Sequence, residues 1–349
     1  MHDRTPNLTG STDALEPLAP RDGYEWYLDD RQPQLTDATM YAHKCRLGHF
    51  IRWCEGRGGI ENLNDLTGRT LHQFKTWRRD EGDLNTVSVR TQLSTLRVFV
   101  KWCEGINAVT PGLHELVQVP TLSGNDGVDE RVLEPEQAND ILGQLYKYQY
   151  ASFEHAMFEL LWVTGMRTGG LHSLDVDDYY PEQGKLKLRH RPEADTTLKN
   201  GTDGERNVSL REDTCRVLDD YLAVNRTATE DDHGREPLFT TRYGRATKSH
   251  LRLVVYEMSQ PCQYGVPCPV GNDPETCEYR ERDHYAACPE NIPPHAIRKG
   301  AITWALNNQI PTDAVSDRMN VSPDTLSRHY DHATEDERMN RHRDYFDNL

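Results

Sequence analysis

Apolar residues recur every three to four positions through the N-terminal third of the chain, the period of a helix with one buried face. Tyr41, Leu47, Phe50 and Ile51 predict a helix running to Cys54, with Asp37 as its cap. Leu71, Phe74 and Trp77 predict a second behind Thr67. Val89, Leu93, Leu96 and Phe99 predict a third that starts at Asn85 or Thr86. Two helix ends echo each other, FIRWCEG at Phe50–Gly56 and FVKWCEG at Phe99–Gly105. Each closes on a Gly that can stop a helix. Two core helices with similar ends account for the echo, and so does a duplicated helical pair.

The period changes further along. Leu133-Glu134-Pro135-Glu136 places a Pro at a helix start followed by acid, and helices are expected over 135–147 and 152–164. Between 185 and 210 apolar and polar residues alternate on both sides of a Gly-rich turn, the pattern of a hairpin. Helices over 212–225 and 248–258 follow, with Leu238-Phe239 as a short strand end. The expected fold is mainly α with a small β-sheet. Residues 1–23 have no period and are expected to be a mobile tail. A helical domain spans 24–119, the Gly, Asp and Ser-rich stretch 120–131 is a linker, and a second domain spans 132–349.

Charge complicates the picture. The 349 residues carry 56 Asp and Glu against 40 Lys and Arg, a formal charge of -16, with only 36% apolar residues. Low hydrophobicity and high charge mark disorder, but the regular apolar period excludes that for most of the chain. An acidic surface suited to a high-salt cytoplasm is the expectation that remains. In molar salt the Debye length is ~3 Å, so contacts rather than net charge would govern binding. With no run of eighteen apolar residues and no charged-then-apolar N-terminus, the expectation is a soluble, cytoplasmic protein that touches no membrane.

The candidate chemistry lies in HAIRKGAITWALNNQIPTDAVSDRMNVSPDTLSRHY, His295 to Tyr330. His295 and Arg298 are three apart on a predicted helix and share a face. An imidazole beside a guanidinium suits an anion, a phosphate above all. Tyr330, between His329 and His332, is a candidate nucleophile. Upstream, LLWVTGMRTGGLHSLDVDD (160–178) breaks an apolar helix at Thr-Gly and sets Arg167 at the head of the next, and Lys199 sits in the turn of the predicted hairpin.

The ordered set Arg167, Lys199, His295, Arg298 and Tyr330 resembles the catalytic domain of the tyrosine recombinases, the phage-type integrases and Xer and Cre recombinases. The likeness covers about 132–345, and more loosely 24–120, which resembles their core-binding domain. It is also similar to integrases of halophilic archaea. The resemblance implies a site-specific recombinase acting on double-stranded DNA as a homotetramer on two duplexes, with no small-molecule substrate, no ATP and no catalytic cofactor. Arg167 and Arg298 would clamp the phosphate, His295 move a proton, Lys199 protonate the leaving 5′ oxygen, and Tyr330 hold the DNA as a 3′-phosphotyrosine. Lys44, Arg46, Arg52, Arg90, Arg97 and Lys101 would reach phosphates from the first domain. A catalytically lapsed DNA-binding relative and a type IB topoisomerase-like strand-passing enzyme are the alternatives.

Two positions depart from the family pattern. Gly170 stands where a carboxylate is common. Met319-Asn320-Val321 replaces a Leu-Gly-His string, so a phosphate contact is lost or is made by Asn320, Ser322 or His329. The terminal segment Glu335–Leu349 is expected to dock onto a neighbouring protomer, as in the family.

The eight cysteines fall into two groups. Cys45, Cys54, Cys103 and Cys215 sit in helical patterns and are expected to be buried. Cys262, Cys268, Cys277 and Cys288 lie in 261–289, a stretch with five prolines and little period, near His284. A segment this long needs a source of order. Four thiolates around a structural Zn²⁺ would supply it, although the spacing has no Cys-x-x-Cys; a metal-free mobile loop and redox pairing are the alternatives.

Overall fold

The computed structural model describes residues 15–122, 131–329 and 339. The chain divides into two compact units, Met1–Asp129 and Glu130–Leu349.

Among the described residues the first unit is a bundle of four α-helices: α1 (Pro20–Arg31), α2 (Asp37–Trp53), α3 (Gly68–Glu81) and α4 (Thr86–Gly105). Helix α1 begins at Pro20, earlier than the Tyr24 start of the expected helical domain, and its composition is polar. It is nonetheless anchored by fully buried Tyr27, whose ring meets Phe99 edge-on at 5.4 Å. Residues 20–23 are therefore helix rather than tail. Thr36, not Asp37, caps α2, since its hydroxyl accepts from the Thr39 N–H. Met40 rather than Tyr41 faces the core: Met40, Leu47 and Ile51 lie on one stripe, and Tyr41, one residue round the helix, is 71% exposed. Cys45 is likewise exposed, while Cys54, Cys103 and Cys215 are buried as expected. Thr67 and Asn85 cap α3 and α4. The two echoing ends meet in the core, with Phe50 6.3 Å from Phe99 and edge-on to Phe74 at 5.1 Å. Such ring pairs add about 0.5–1.5 kcal/mol each beyond their buried area. Gly56 does not stop α2; the chain winds on through a π-turn to Gly58 and leaves at Gly59, in the left-handed region.

The second unit is α-rich. Helices α5 (Pro135–Tyr148), α6 (Phe153–Thr164) and α7 (Thr168–Ser173) lead into an antiparallel sheet of β1 (Tyr179–Tyr180), β2 (Lys185–Leu188) and β3 (Arg206–Ser209). Leu186 pairs with Val208 and both are buried, which sets the register. Helix α8 (Glu212–Asp220), the ribbon of β4 (Thr240–Thr241) and β5 (Gly244–Arg245), and α9 (Lys248–Met258) follow. After the cysteine-bearing segment come α10 (Pro294–Asn307), α11 (Thr312–Met319) and α12 (Pro323–His329). One large core lies under α5–α9. A smaller core, built from Ala301, Ile302, Ala305, Leu306, Val315, Met319, Val321 and Leu326, joins α10 to α12, with Trp162 packed against both.

Two polar devices brace this unit. Asp175, Asp178 and Asp231 interleave with Arg191, Arg235 and Arg245: Arg191 meets Asp178 at 2.6 Å, and Arg235 and Arg245 each meet Asp231 at 2.7 Å. Burial alone would raise the Asp231 carboxyl, but hydrogen bonds from Arg245, Arg235 and backbone N–H groups outweigh it and hold it well below the usual carboxylate range. At the roots of the cysteine-bearing segment, the Ser259 hydroxyl accepts from the Ile292 N–H at 2.8 Å, and Gln260 donates to the Tyr279 carbonyl at 2.7 Å. Among the described residues no helix is long and apolar enough to cross a membrane.

Candidate active site

The site grows from the end of α6. Gly165 leaves that helix in the left-handed conformation, φ +57°, and a Cβ there would stand 2.7 Å from the Met319 sulfur. Glycine thus lets the end of α11 close against the end of α6. Two residues on, Arg167 caps α7 with an extended backbone and directs its guanidinium to the same place. Its Nη1 donates to the Asn320 carbonyl at 3.0 Å.

Arg298 comes from the first turns of α10 and is only 2% exposed. A guanidinium so far from water must have its N–H groups satisfied. Nη1 donates to the carbonyls of Gly165 and Met319, both at 2.6 Å, and Nη2 to the Asn320 carbonyl at 3.2 Å. Two arginines from distant parts of the sequence therefore converge on one carbonyl oxygen.

Two further arginines, not foreseen, flank this pair. Arg206, the first residue of β3, donates from Nε to the Arg318 carbonyl at 2.8 Å. Burial, then the charges of Arg167 and Arg318, push its pKa down to about 10. Arg318 donates to the Ser209 hydroxyl at 3.1 Å and the Val163 carbonyl at 3.0 Å, and burial lowers its pKa too. No local spacing marks either residue. The only hint in the sequence is that each stands at the edge of a motif segment in an acid-rich chain.

His295 occupies the first turn of α10 with its edge exposed. Desolvation by the protein around its ring lowers its pKa, and the charges of Arg298, Lys299, Arg167 and Lys199 lower it further. Both influences favour the neutral imidazole, the form able to accept a proton. Lys199 is exposed in the long loop between β2 and β3. Buried Leu198 anchors the loop on one side of it, donating its N–H to His190 Nδ1 at 3.0 Å. On the other side, Asn200 donates to Asn320 Oδ1 at 2.6 Å. Arg167, Arg298, His295 and Lys199 are thus brought together. Tyr330 and His332 lie outside the described residues, as does the side chain of His329.

The two departures have structural counterparts. A Cβ at Gly170 would stand 2.9 Å from buried Leu188, so a carboxylate there would press on the core. Val321 is buried in the smaller core and offers the site nothing. Ser322 is used locally, its hydroxyl accepting from the Thr325 N–H at the head of α12. Of the two proposed substitutes whose side chains are described, Asn320 is the one that touches an arginine, Arg167.

Residues 131–261 match the phage integrase family profile, and residues 22–105 match the phage integrase N-terminal SAM-like domain. Together they account for well over half of the chain. The chain belongs to the phage integrase family of tyrosine recombinases. Tyrosine recombinase XerD of Oceanobacillus iheyensis is 23% identical to it over 214 residues, 60% of this chain and 67% of that one. The Tn1549 transposon integrase, solved with a circular intermediate DNA, superposes with a TM-score of 0.66 at 17% identity, covering 95% of this chain and 100% of that one. A lambda integrase dimer bound to a COC′ core site gives 0.61 at 14% identity, covering 90% and 77%. These likenesses show a shared fold.

Other residues of this integrase-family chain divide between surface and scaffold. In the first unit Lys44, Arg52 and Lys101 are exposed as expected. Arg46, Arg90 and Arg97 turn inward instead, donating to the Thr95 hydroxyl at 3.2 Å and to the carbonyls of Pro120 and Val117 at 2.5 Å each. Each of the three thus has one guanidinium N–H engaged within its own unit. The family match ends at residue 261, where the cysteine-bearing segment begins. Cys262, Cys268, Cys277 and Cys288 are partly exposed free thiols. Burial raises Cys262 and Cys288, and charge on neighbouring cysteines of the set raises both further. Among the described residues no three His, Cys, Asp or Glu side chains converge tightly enough to hold a metal ion.

Proposed function

We propose that this chain is an active site-specific recombinase that cuts and rejoins double-stranded DNA through a 3′-phosphotyrosyl bond at Tyr330. The observation that carries the reading is the meeting of Arg167 and Arg298 on the Asn320 carbonyl, 3.0 and 3.2 Å away. Guanidinium groups aimed at one oxygen suit the non-bridging oxygens of a scissile phosphate, where charge accumulates in the transition state. A tyrosine hydroxyl with a pKa of about 10 is a weak nucleophile until its proton is taken. Neutral His295 can accept that proton. As the Tyr330 oxygen bonds to phosphorus, the bond to the 5′ oxygen breaks, and the Lys199 ammonium supplies the proton that this poor leaving group needs. A 5′ hydroxyl from the partner duplex reverses the step. One ester replaces another, so no ATP is consumed.

A nicked duplex that traps the covalent adduct tests this. Capture should be lost in Tyr330→Phe and in Arg167→Ala. Absence of capture by the wild-type chain favours a lapsed DNA-binding relative. Capture without joining of two marked duplexes favours a topoisomerase-like enzyme.

We also propose assembly as a homotetramer on two sites, with Glu335–Leu349 docking onto a neighbour. An apolar pocket of about 540 Å³, bordered by Leu142, Trp162, Leu210, Trp304 and Ile310, suits such a segment. Removing the residues after Asp344 should weaken synapsis and leave single-site binding intact.

Finally, we propose that Cys262, Cys268, Cys277 and Cys288 take up a structural Zn²⁺. Support comes from the influence of Cys277 and Cys268 on Cys262, and of Cys262 and Cys277 on Cys288, in a segment whose regular structure is limited to short 3₁₀ turns. Binding would draw the thiolates to about 2.3 Å from the ion. One equivalent of zinc, lost in Cys277→Ser, is expected in protein purified without chelator.

A further inference from the structure

Asn320 has an unusual position. It ends α11 in the left-handed conformation, φ 50° and ψ 65°, where glycine carries no steric cost. Asn is among the side chains that tolerate this conformation, and the contacts of this one are specific. Its Oδ1 accepts from Asn200 Nδ2 at 2.6 Å and from Arg167 Nη1 at 3.4 Å. Its Nδ2 donates to the Asp203 carbonyl at 2.9 Å. Asn200 and Asp203 both belong to the loop that carries Lys199, more than a hundred residues away in sequence. The amide thus grips that loop at two points, while the backbone carbonyl of the same residue receives both site arginines.

We propose that Asn320 is a positioning residue that registers the Lys199 loop against the Arg167–Arg298 pair, so that proton donor and phosphate clamp are set by one residue. This rests on the recombinase reading above. The two functions of Asn320 are separable. Its carbonyl, which the arginines use at 3.0 and 3.2 Å, survives any substitution. Its side chain, which the loop uses, does not. With both ends of its amide engaged by the protein, Asn320 acts through Lys199 rather than as a replacement phosphate donor.

Asn320→Gly isolates the effect, because glycine adopts φ 50° without strain and keeps the carbonyl. Single-turnover covalent capture is measured on two nicked duplexes, one ordinary and one with sulfur replacing the bridging 5′ oxygen. In the second, the Tyr330 oxygen bonds to phosphorus and the electron pair of the broken P–S bond stays on sulfur. A thiolate, whose conjugate acid has a pKa of about 8.5, leaves without a donated proton. On ordinary DNA N320G should be slower by about 10- to 100-fold, short of the roughly 100- to 10,000-fold that a general acid contributes because the loop is loosened rather than lost. On the sulfur-bridged duplex it should match the wild type. Asn200→Ala should show a smaller loss with the same rescue, and Lys199→Ala the full loss with rescue.

Equal slowing of N320G on both duplexes, or no slowing on either, would overturn the proposal. A wild-type chain that captures neither duplex, or a Tyr330→Phe variant that still captures them, would overturn the recombinase reading itself.

Discussion

Arg206 donates to the main-chain carbonyl of Arg318 at 2.8 Å, so one half-buried cation is held by the backbone of another. With Arg167 and Arg298 nearby, four guanidinium groups gather in a chain whose net charge is -16. Burial, then repulsion from Arg167 and Arg318, lowers the pKa of Arg206, and so dense a group of cations should attract anions. Millimolar inorganic phosphate should therefore raise the melting temperature by about 2–4 °C, roughly 1 kcal/mol, over chloride at equal ionic strength. Thermal unfolding of the wild type and Arg167→Ala checks this, and an equal response in both counts against it.

Neutral His295 predicts a pH dependence. A base whose pKa is lowered stays unprotonated further into acid, so activity persists as pH falls and is lost only on passing the lowered value. The acidic limb of kcat/KM for covalent capture should lie below about 6.5, the value for a free imidazole. A limb at or above that pH would show that the surrounding cations do not set the titration.

The Asp231 carboxyl is depressed, so the sign for stability is opposite. Its contribution is complete above its unfolded pKa of about 4 and is lost as pH falls from there toward the lower folded value. Asp231→Asn leaves Arg235 and Arg245 facing a neutral group and should cost about 3 kcal/mol at pH 7. Urea midpoints at pH 7 and pH 3 test both statements, since the difference between wild type and variant should shrink in acid.

Gly170→Asp restores the carboxylate seen elsewhere in the family. With its Cβ 2.9 Å from buried Leu188, the substitution should destabilise the second unit by about 1–3 kcal/mol. Denaturant unfolding would reveal it.

Local pattern carried much of the architecture. The bounds of α9, the caps Thr67 and Asn85, and the strands either side of Lys199 all follow from residues a few positions apart. Tyr41 misled because its hydrophobicity matches the stripe while its angle round α2 does not. The start of α1 lies earlier than its pattern suggests because burial of a few residues, Tyr27 above all, outweighs a polar composition. Within the site, Arg167 and Arg298 were legible from context. The role of Asn320 was not, because its partners Asn200 and Asp203 come from a distant loop and no spacing rule connects them.

The hydrogen bond between Ser259 and Ile292 pins the two roots of the cysteine-bearing segment side by side. Helices α9 and α10 are thus joined at their near ends by a contact that does not pass through the cysteines, while Tyr264 ties the segment to α5 through Gln137. The segment is an appendage that evolution could enlarge, trim or exchange without retuning the chemistry, in the manner of an interchangeable tool on a fixed mount.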